Sequence, residues 1–235
     1  MRSYQQYCPA ARALDVVGER WTLLVVRELL VGPKRYTDLQ EGLPGIGPGV
    51  LAARLRKLEQ AGLVEKRRLA PPAASTVYSL TERGEGLAPV LSELFQWGLQ
   101  LVDAPGRHDA VRASYWLPAI ESAVRLGALP DDVDDVYEFR VGDESIVVAV
   151  SHGRVEVIPG PAESPDVVIA TDHETFARLG RGALSSPEAI EAGKLSVEGD
   201  PSAAERCALL FGGAAEGAEG AEGAEPASAG AGAGT

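Results

Sequence analysis

Apolar positions in the first hundred residues recur at helical spacing and are cut at short intervals by glycine and proline. Behind Cys8-Pro9, the residues Ala11, Leu14, Val16 and Val17 gather on one side of a helix that Gly18 ends. A second helix is expected from Glu19 to Val31, with Trp21, Leu24, Val25 and Leu29 facing inward. Gly32-Pro33 stops it, because glycine suits a helix C-terminus and proline cannot continue the ladder. Thr37 is the expected cap of a short helix through Leu39 to Gly42. After the turn Leu43–Gly49, the residues Leu51, Leu55 and Leu58 define a helix from Gly47 to Ala61, with Pro48 at its first position and Leu63 extending the stripe beyond it. At 100° per residue, Leu55 and Leu58 fall within about 40° of Leu51, while Gly49, Ala53 and Arg56 fall on the opposite face.

The period then changes. Leu63–Leu69 and Thr76–Leu80 read as two strands around the loop Ala70–Ser75, which is long for a tight hairpin. Thr81 can start a helix reaching about Val102, kinked or restarted at Pro89. Its apolar residues Leu87, Leu91, Leu94, Gly98 and Leu101 follow 4-3-4-3 spacing, and Val90, Phe95, Trp97 and Val102 broaden the band. So wide a stripe at the end of a small domain reads as a dimer interface, assigned to Leu87, Leu91, Leu94, Phe95, Trp97 and Leu101.

Residues 1–102 therefore form a first domain, 103–110 a polar linker and 111–211 a second domain. In the second domain Arg112–Leu126 reads as a helix with Trp116, Ile120, Ala123 and Val124 on one face, followed by the acidic loop Pro130–Asp135. Strands are expected at Val136–Val141, Ser145–Ser151, Arg154–Ile158 and Asp166–Ala170, with the continuously apolar Ile146–Val150 central. Helices follow at His173–Arg181, capped by Asp172, and at Pro187–Ala192. Then come a last strand, Lys194–Glu198, and a closing helix from Asp200-Pro201 to Phe211. Strands first and helices after indicate an α+β domain. Gly212–Thr235, with its repeated Ala-Glu-Gly, has no apolar bulk for a core and is expected to be disordered.

Charge sharpens this division. The net charge of −12 conceals 13 Lys/Arg against 10 Asp/Glu in residues 1–102, and 9 against 24 in residues 103–235. Attraction to phosphate acts over about a Debye length, so the positive first domain suits a nucleic-acid partner despite the acidic total. No apolar run approaches the roughly 20 residues of a membrane helix, and the start of the chain lacks a signal-peptide core. A cytoplasmic location follows, with Cys8 and Cys207 as thiols. A helix held by one leucine stripe, with small and basic residues outward, can enter the major groove of double-stranded DNA.

The order of four helices, two strands and a helix is that of a mainly α winged helix-turn-helix domain. Cys8–Leu30, Leu43-Pro-Gly-Ile46, Val50–Glu59, Ala61-Gly-Leu-Val64 and Tyr78-Ser-Leu-Thr-Glu82 together resemble the HxlR-type (MarR-like) transcriptional regulators over about residues 5–102. The resemblance implies a bacterial, nucleoid-associated regulator, a homodimer on a pseudo-palindromic operator, with Gly47–Ala61 in the major groove and the wing on the neighbouring groove. Its implied DNA contacts are Tyr36, Thr37, Pro48, Gly49, Ala52, Ala53, Arg54, Arg56, Lys57, Lys66, Arg67 and Arg68, of which Arg56 and Lys57 face the groove and Arg54 a phosphate. Gly47, Gly49 and Ala53 are smaller than the residues usual in that family, and the loop Ala70–Ser75 lacks the usual basic residue, so direct base readout has few side chains.

The second domain resembles the sterol-carrier-protein-like fold through Pro165–Asp172, the helix with Phe176 and Leu179, and Lys194–Asp200. That implies an apolar cavity between sheet and helices for a small hydrophobic effector, with Trp116, Ile120 and Phe176 as candidate contacts. Cys8 has two readings. One is a redox or electrophile sensor whose thiolate is favoured by a helix N-terminus, with a purely structural second domain; the other is a small residue in the dimer interface. Asp131, Asp132, Asp134 and Asp135 lack the glycine and distal glutamate of a calcium loop, and His108, His152 and His173 show no ligand or triad spacing. No metal, cofactor or catalytic constellation is expected, so the chain reads as a regulator and not an enzyme.

Overall fold

The computed structural model describes residues 3–70, 74–102, 106, 109–117, 120 and 133–219, with side chains described as far as Leu210. The first half comprises helices α1 (Pro9–Val17), α2 (Thr22–Leu30), α3 (Tyr36–Gly42) and α4 (Pro48–Gln60), strands β1 (Val64–Arg68) and β2 (Thr76–Leu80), a one-turn helix α5 (Glu82–Glu85), and α6 (Ala88–Leu99). The break between α5 and α6 falls just before Pro89, so the predicted helix restarts there. Thr81 caps α5 by accepting from the Gly84 amide. The predicted cap at Thr37 is corrected. The α3 helix starts two residues earlier, with Arg35 at the cap position and its amide donating to Asp38 at 2.9 Å, because a carboxylate accepts more strongly than a hydroxyl.

Leu51, Leu55 and Leu58 are buried against Val25, Val26, Leu39, Leu43 and Leu63, as the stripe requires. Leu14 and Leu24, expected inside, are instead exposed, and Thr22 and Glu28 are buried in their stead. The α2 helix is turned so that Glu28 points inward, where it accepts from Lys34 Nζ at 2.6 Å and Arg27 Nη2 at 2.8 Å. A buried carboxylate needs such partners. Lys34 also exchanges backbone hydrogen bonds of 2.9 and 2.8 Å with Tyr78, which adds the α2–α3 connection to the wing as a short third strand.

The second half opens on a 3-10 turn at Ala113–Trp116 and continues with β3 (Asp134–Val141), β4 (Glu144–Ser151), β5 (Arg154–Pro159), β6 (Val167–Thr171), α7 (His173–Gly180), α8 (Ser186–Glu191), β7 (Leu195–Gly199) and α9 (Pro201–Glu219). The sheet order is β5-β4-β3-β6-β7, antiparallel except for the β3–β6 pair, in which Tyr137 is level with Val167 and Phe139 with Ile169. The apolar run of β4 lies in an interior position, while β3 holds the centre. Tyr137, Phe139, Ile146, Val148, Val167 and Ile169 share one face and pack under Ala189, Ala203, Cys207 and Leu210. This is the α+β arrangement expected from strands followed by helices.

Three expectations change here. The closing helix does not stop at Phe211 but continues to Glu219, because alanine and glutamate favour helix strongly enough to carry the interspersed glycines. Asp135 is not a solvated loop acid. It is buried in β3, accepts Arg206 Nε and Nη2 at 2.6 and 2.7 Å and takes the Tyr137 hydroxyl at 2.6 Å. Ser185, not Pro187, marks the start of α8 by capping it. The expectations for residues 71–73, His108, Asp131, Asp132, most of the 112–126 helix and the tail beyond 219 lie outside the described residues.

Candidate nucleic-acid interface

The outward side of α4 is fixed by what its inward side does. With the leucines buried, Pro48, Gly49, Val50, Ala53, Arg56 and Gln60 remain exposed along the helix. Its N-terminus is tied to α3 by the Tyr36 hydroxyl, which donates to Pro48 O at 2.7 Å, so these two helices keep a fixed angle. Thr37 is exposed at the start of α3 and donates to Asp38 at 3.3 Å.

The cations predicted on α4 are not equivalent. Arg56 is exposed and forms no ion pair among the described residues. Lys57, expected in the groove, instead reaches back to Glu19 Oε1 at 3.0 Å, and only 13% of its side chain is exposed. Arg54 is likewise occupied: it pairs with Glu19 Oε2 and donates from Nε to Arg20 O at 3.0 Å. Helical geometry explains the correction. Positions 54 and 57 lie one turn apart, and Glu19 before α2 meets both. Lys57 and then Arg54 hold the Glu19 carboxyl below its ordinary range.

Beside α4 the wing strand β1 presents Lys66, Arg67 and Arg68 to solvent. Lys66 Nζ lies 5.6 Å from the Tyr78 ring centroid, and Arg67 donates to Ser79 Oγ at 3.1 Å and lies 3.2 Å from Glu65. Arg68 is unpaired among the described residues. The wing is therefore basic along its strand. Three residues that sequence reasoning passed over share this side or its border. Val50 and Gln60 are exposed on α4, and Arg35 is exposed at the N-terminus of α3, a place the misassigned cap obscured.

A buried leucine stripe, a pinned helix pair and a basic two-stranded wing form a winged helix-turn-helix, and comparison with known proteins gives it a lineage. The HxlR-like helix-turn-helix model matches residues 16–105. The HTH-type transcriptional regulator YvaP of Bacillus subtilis is 34% identical over 99 residues, covering 42% of this chain and 92% of that protein. The chain belongs to the HxlR-like helix-turn-helix family. The HTH-type transcriptional regulator YodB of the same organism is 37% identical over 100 residues, 42% of this chain and 88% of that protein. A solved structure of reduced YodB is 34% identical, covers 43% of this chain and 100% of its own, and superposes with a TM-score of 0.37. The SCP-2 sterol transfer family matches residues 123–212, in keeping with the mixed sheet and its helices. The chain is thus an HxlR-type DNA-binding regulator with a C-terminal SCP2-like domain.

In this HxlR-type chain the broad apolar band of α6 is divided between two directions. Leu91 is buried in the first core with Leu87 against it, and Phe95 packs edge-to-face on Trp116 at 5.3 Å. Val90, Leu94, Trp97 and Leu101 stay exposed. Of the six interface residues expected, Leu94, Trp97 and Leu101 face outward, while Leu87, Leu91 and Phe95 are turned into the chain. At 3.6 residues per turn one helix can present both faces.

Cys8 is a free, half-buried thiol at the N-cap of α1, and Cys207 is a buried thiol pushed up to about 12 by burial. Trp116 borders a hollow of about 670 Å³, which lies between α6, the Ala113–Trp116 turn and α7 rather than between sheet and helices. Ile120 and Phe176 do not line it; both pack against the sheet core. No group of three His, Cys, Asp or Glu side chains suited to a metal occurs among the described residues, and none of their helices is long and apolar enough to cross a membrane.

Proposed function

We propose that this regulator acts as a homodimer on a pseudo-palindromic operator, with α4 in the major groove and β1 against the flanking backbone, its occupancy modulated by a small hydrophobic effector. The observation that carries the reading is the outward strip of α4. It is small and unobstructed at Gly49 and Ala53, with Arg56 as its unpaired cation and Lys66, Arg67 and Arg68 beside it. Close approach of the backbone to the groove needs small side chains, and one arginine can take a guanine bidentately. The remaining cations suit phosphate, which fixes position without reading sequence.

With so few base contacts, discrimination rests on Arg56, contacts from the backbone and Val50, and the shape of the duplex. The exposed seam Val90, Leu94 and Trp97 on α6, continued by Leu101 just beyond it, supports pairing of two copies, since that 4-3-4 spacing is the one two helices interdigitate along. The domain limits 1–102 and 111–211 are proposed as the units that pair and respond. Hydroxyl-radical footprinting of the DNA upstream of the protein's own gene tests the reading. Two protected patches about 10 base pairs apart, or a multiple of that, are expected. A single patch, or protection independent of sequence, contradicts it.

A further inference from the structure

The hollow between the two halves has the size and chemistry of a ligand site, and its position differs from the sheet–helix space of a carrier domain. Its volume of about 670 Å³ falls within the 300–1,000 Å³ usual for small-molecule sites. Its walls are apolar and come from both halves: Leu91, Phe95 and Leu99 from α6, Trp116 from the turn and Ala177 from α7.

The polar groups at its edge are mostly cationic. Arg27 and Arg112 both line it: the Arg27 guanidinium carbon lies 3.9 Å from the Tyr115 ring centroid, and Arg112 and Tyr115 donate to the adjacent carbonyls of Glu41 and Gly42, which places the two arginines on one side. Arg27 Nε and His173 Nδ1, both on lining residues, are buried without a hydrogen-bond partner. Arg112 uses Nη2 on Glu41 O at 3.0 Å. The one carboxylate in the lining, Asp109, is occupied by the Gly106 amide at 2.8 Å. An apolar chamber bordered by two guanidiniums, with Arg27 offering a buried Nε that has no acceptor beside its 2.8 Å pair with Glu28, is complementary to an amphipathic anion.

We propose that this hollow binds an apolar organic acid, its carboxylate against Arg27 and Arg112 and its body on Leu91, Phe95 and Trp116. The inference rests on the reading of the chain as an effector-responsive regulator, and it names both the chemistry of the effector and its place. It also supplies a route. Arg112 and Tyr115 donate to Glu41 O and Gly42 O at the end of α3, next to the turn that leads into α4. A carboxylate competing for Arg112 loosens that end of α3.

The full chain, titrated calorimetrically with naphthalene-2-carboxylate and with the uncharged 2-naphthylmethanol, tests the proposal. The acid is expected to bind saturably and the alcohol about tenfold or more weaker, from loss of the charge-assisted contact. Arg112→Gln is expected to remove that preference and Arg112→Lys to restore part of it. Gly98→Leu provides a second variant. Gly98 lines the hollow and a Cβ there meets nothing within 4 Å, so the larger side chain is expected to narrow the hollow without a clash, and both probes are expected to bind more weakly. Equal affinity for the two probes, no binding of the acid, or unchanged binding in Arg112→Gln or Gly98→Leu overturns the proposal. A gel shift of the same protein without probe reports DNA binding separately, so failure of ligand capture is distinguishable from failure of the regulator reading.

Discussion

The guanidinium carbon of Arg27 lies 3.9 Å from the centroid of the Tyr115 ring, and this contact joins the helix-turn-helix to the domain that follows it. Arg27 belongs to α2 and is already engaged with buried Glu28; Tyr115 belongs to the 3-10 turn and donates to Gly42 O at 3.1 Å. The two halves therefore meet at the base of α3, next to the turn that leads into α4.

Tyr115→Ala removes a partly buried cation–π contact and a hydrogen bond, together about 2 kcal/mol. Tyr115→Phe removes only the hydrogen bond, about 1 kcal/mol. Hydrogen exchange of the α3 amides reads the difference: faster exchange is expected in the order alanine, phenylalanine, wild type. Indistinguishable rates for all three contradict a coupling through this side chain.

Glu19 holds Arg54 and Lys57 away from the outward face. Glu19→Gln frees both, so binding to random-sequence duplex is expected to gain a steeper salt dependence, by about one to two in the slope of log K against log salt. The Glu19 carboxyl is held below its ordinary value, so the clamp is intact at neutral pH and is lost only as pH falls through that lowered value. The wild-type slope is accordingly expected to be the same at pH 6 and pH 8. An unchanged slope in Glu19→Gln shows that the two cations never reach phosphate.

The first core could be read from sequence because a leucine stripe and glycine–proline punctuation are local signals. The strands of the second sheet could be read from alternation and from the apolar run of β4, but no local pattern encodes its order, in which β6 pairs parallel with β3 and antiparallel with β7 across two helices. What stayed hidden depended on partners distant in sequence. Lys57 looked free until Glu19, 38 positions away, came beside it. Asp135 looked like one of four loop acids until Arg206 and Tyr137 met it. The α6 band looked like one surface, because its division depends on where Trp116 docks.

Leu94 and Trp97 face outward on α6 with 45% and 62% exposure. Leu94→Glu or Trp97→Glu places a charge in the proposed pairing seam, and sedimentation analysis is expected to show monomers with unchanged helical content. A dimer that survives both changes places the interface elsewhere.

Asp135 is held below its ordinary value first by the hydrogen bonds of Arg206 and then by that of Tyr137. Its contribution is present above the unfolded pKa and is lost as pH falls through the lowered folded value. Asp135→Asn leaves Arg206 without its charge partner and is expected to cost about 3 kcal/mol at pH 7, the lower end for a buried pair because Arg206 is 32% exposed. The penalty is expected to shrink as pH falls from the ordinary carboxyl range through the lowered Asp135 value, where the wild-type carboxyl also protonates. Urea unfolding followed across that range checks it, and a pH-independent penalty contradicts it.

Among the described residues Arg56 is the one α4 cation that is exposed and unpaired, which suits a base edge rather than phosphate in the proposed complex. The most direct test is the affinity of Arg56→Ala for the footprinted operator and for random duplex, each across a range of salt. The account predicts a loss of about 1–3 kcal/mol on the operator with little change on random DNA. Equal losses on both duplexes would reduce Arg56 to a phosphate contact, and no loss on either would contradict α4 as the reading helix.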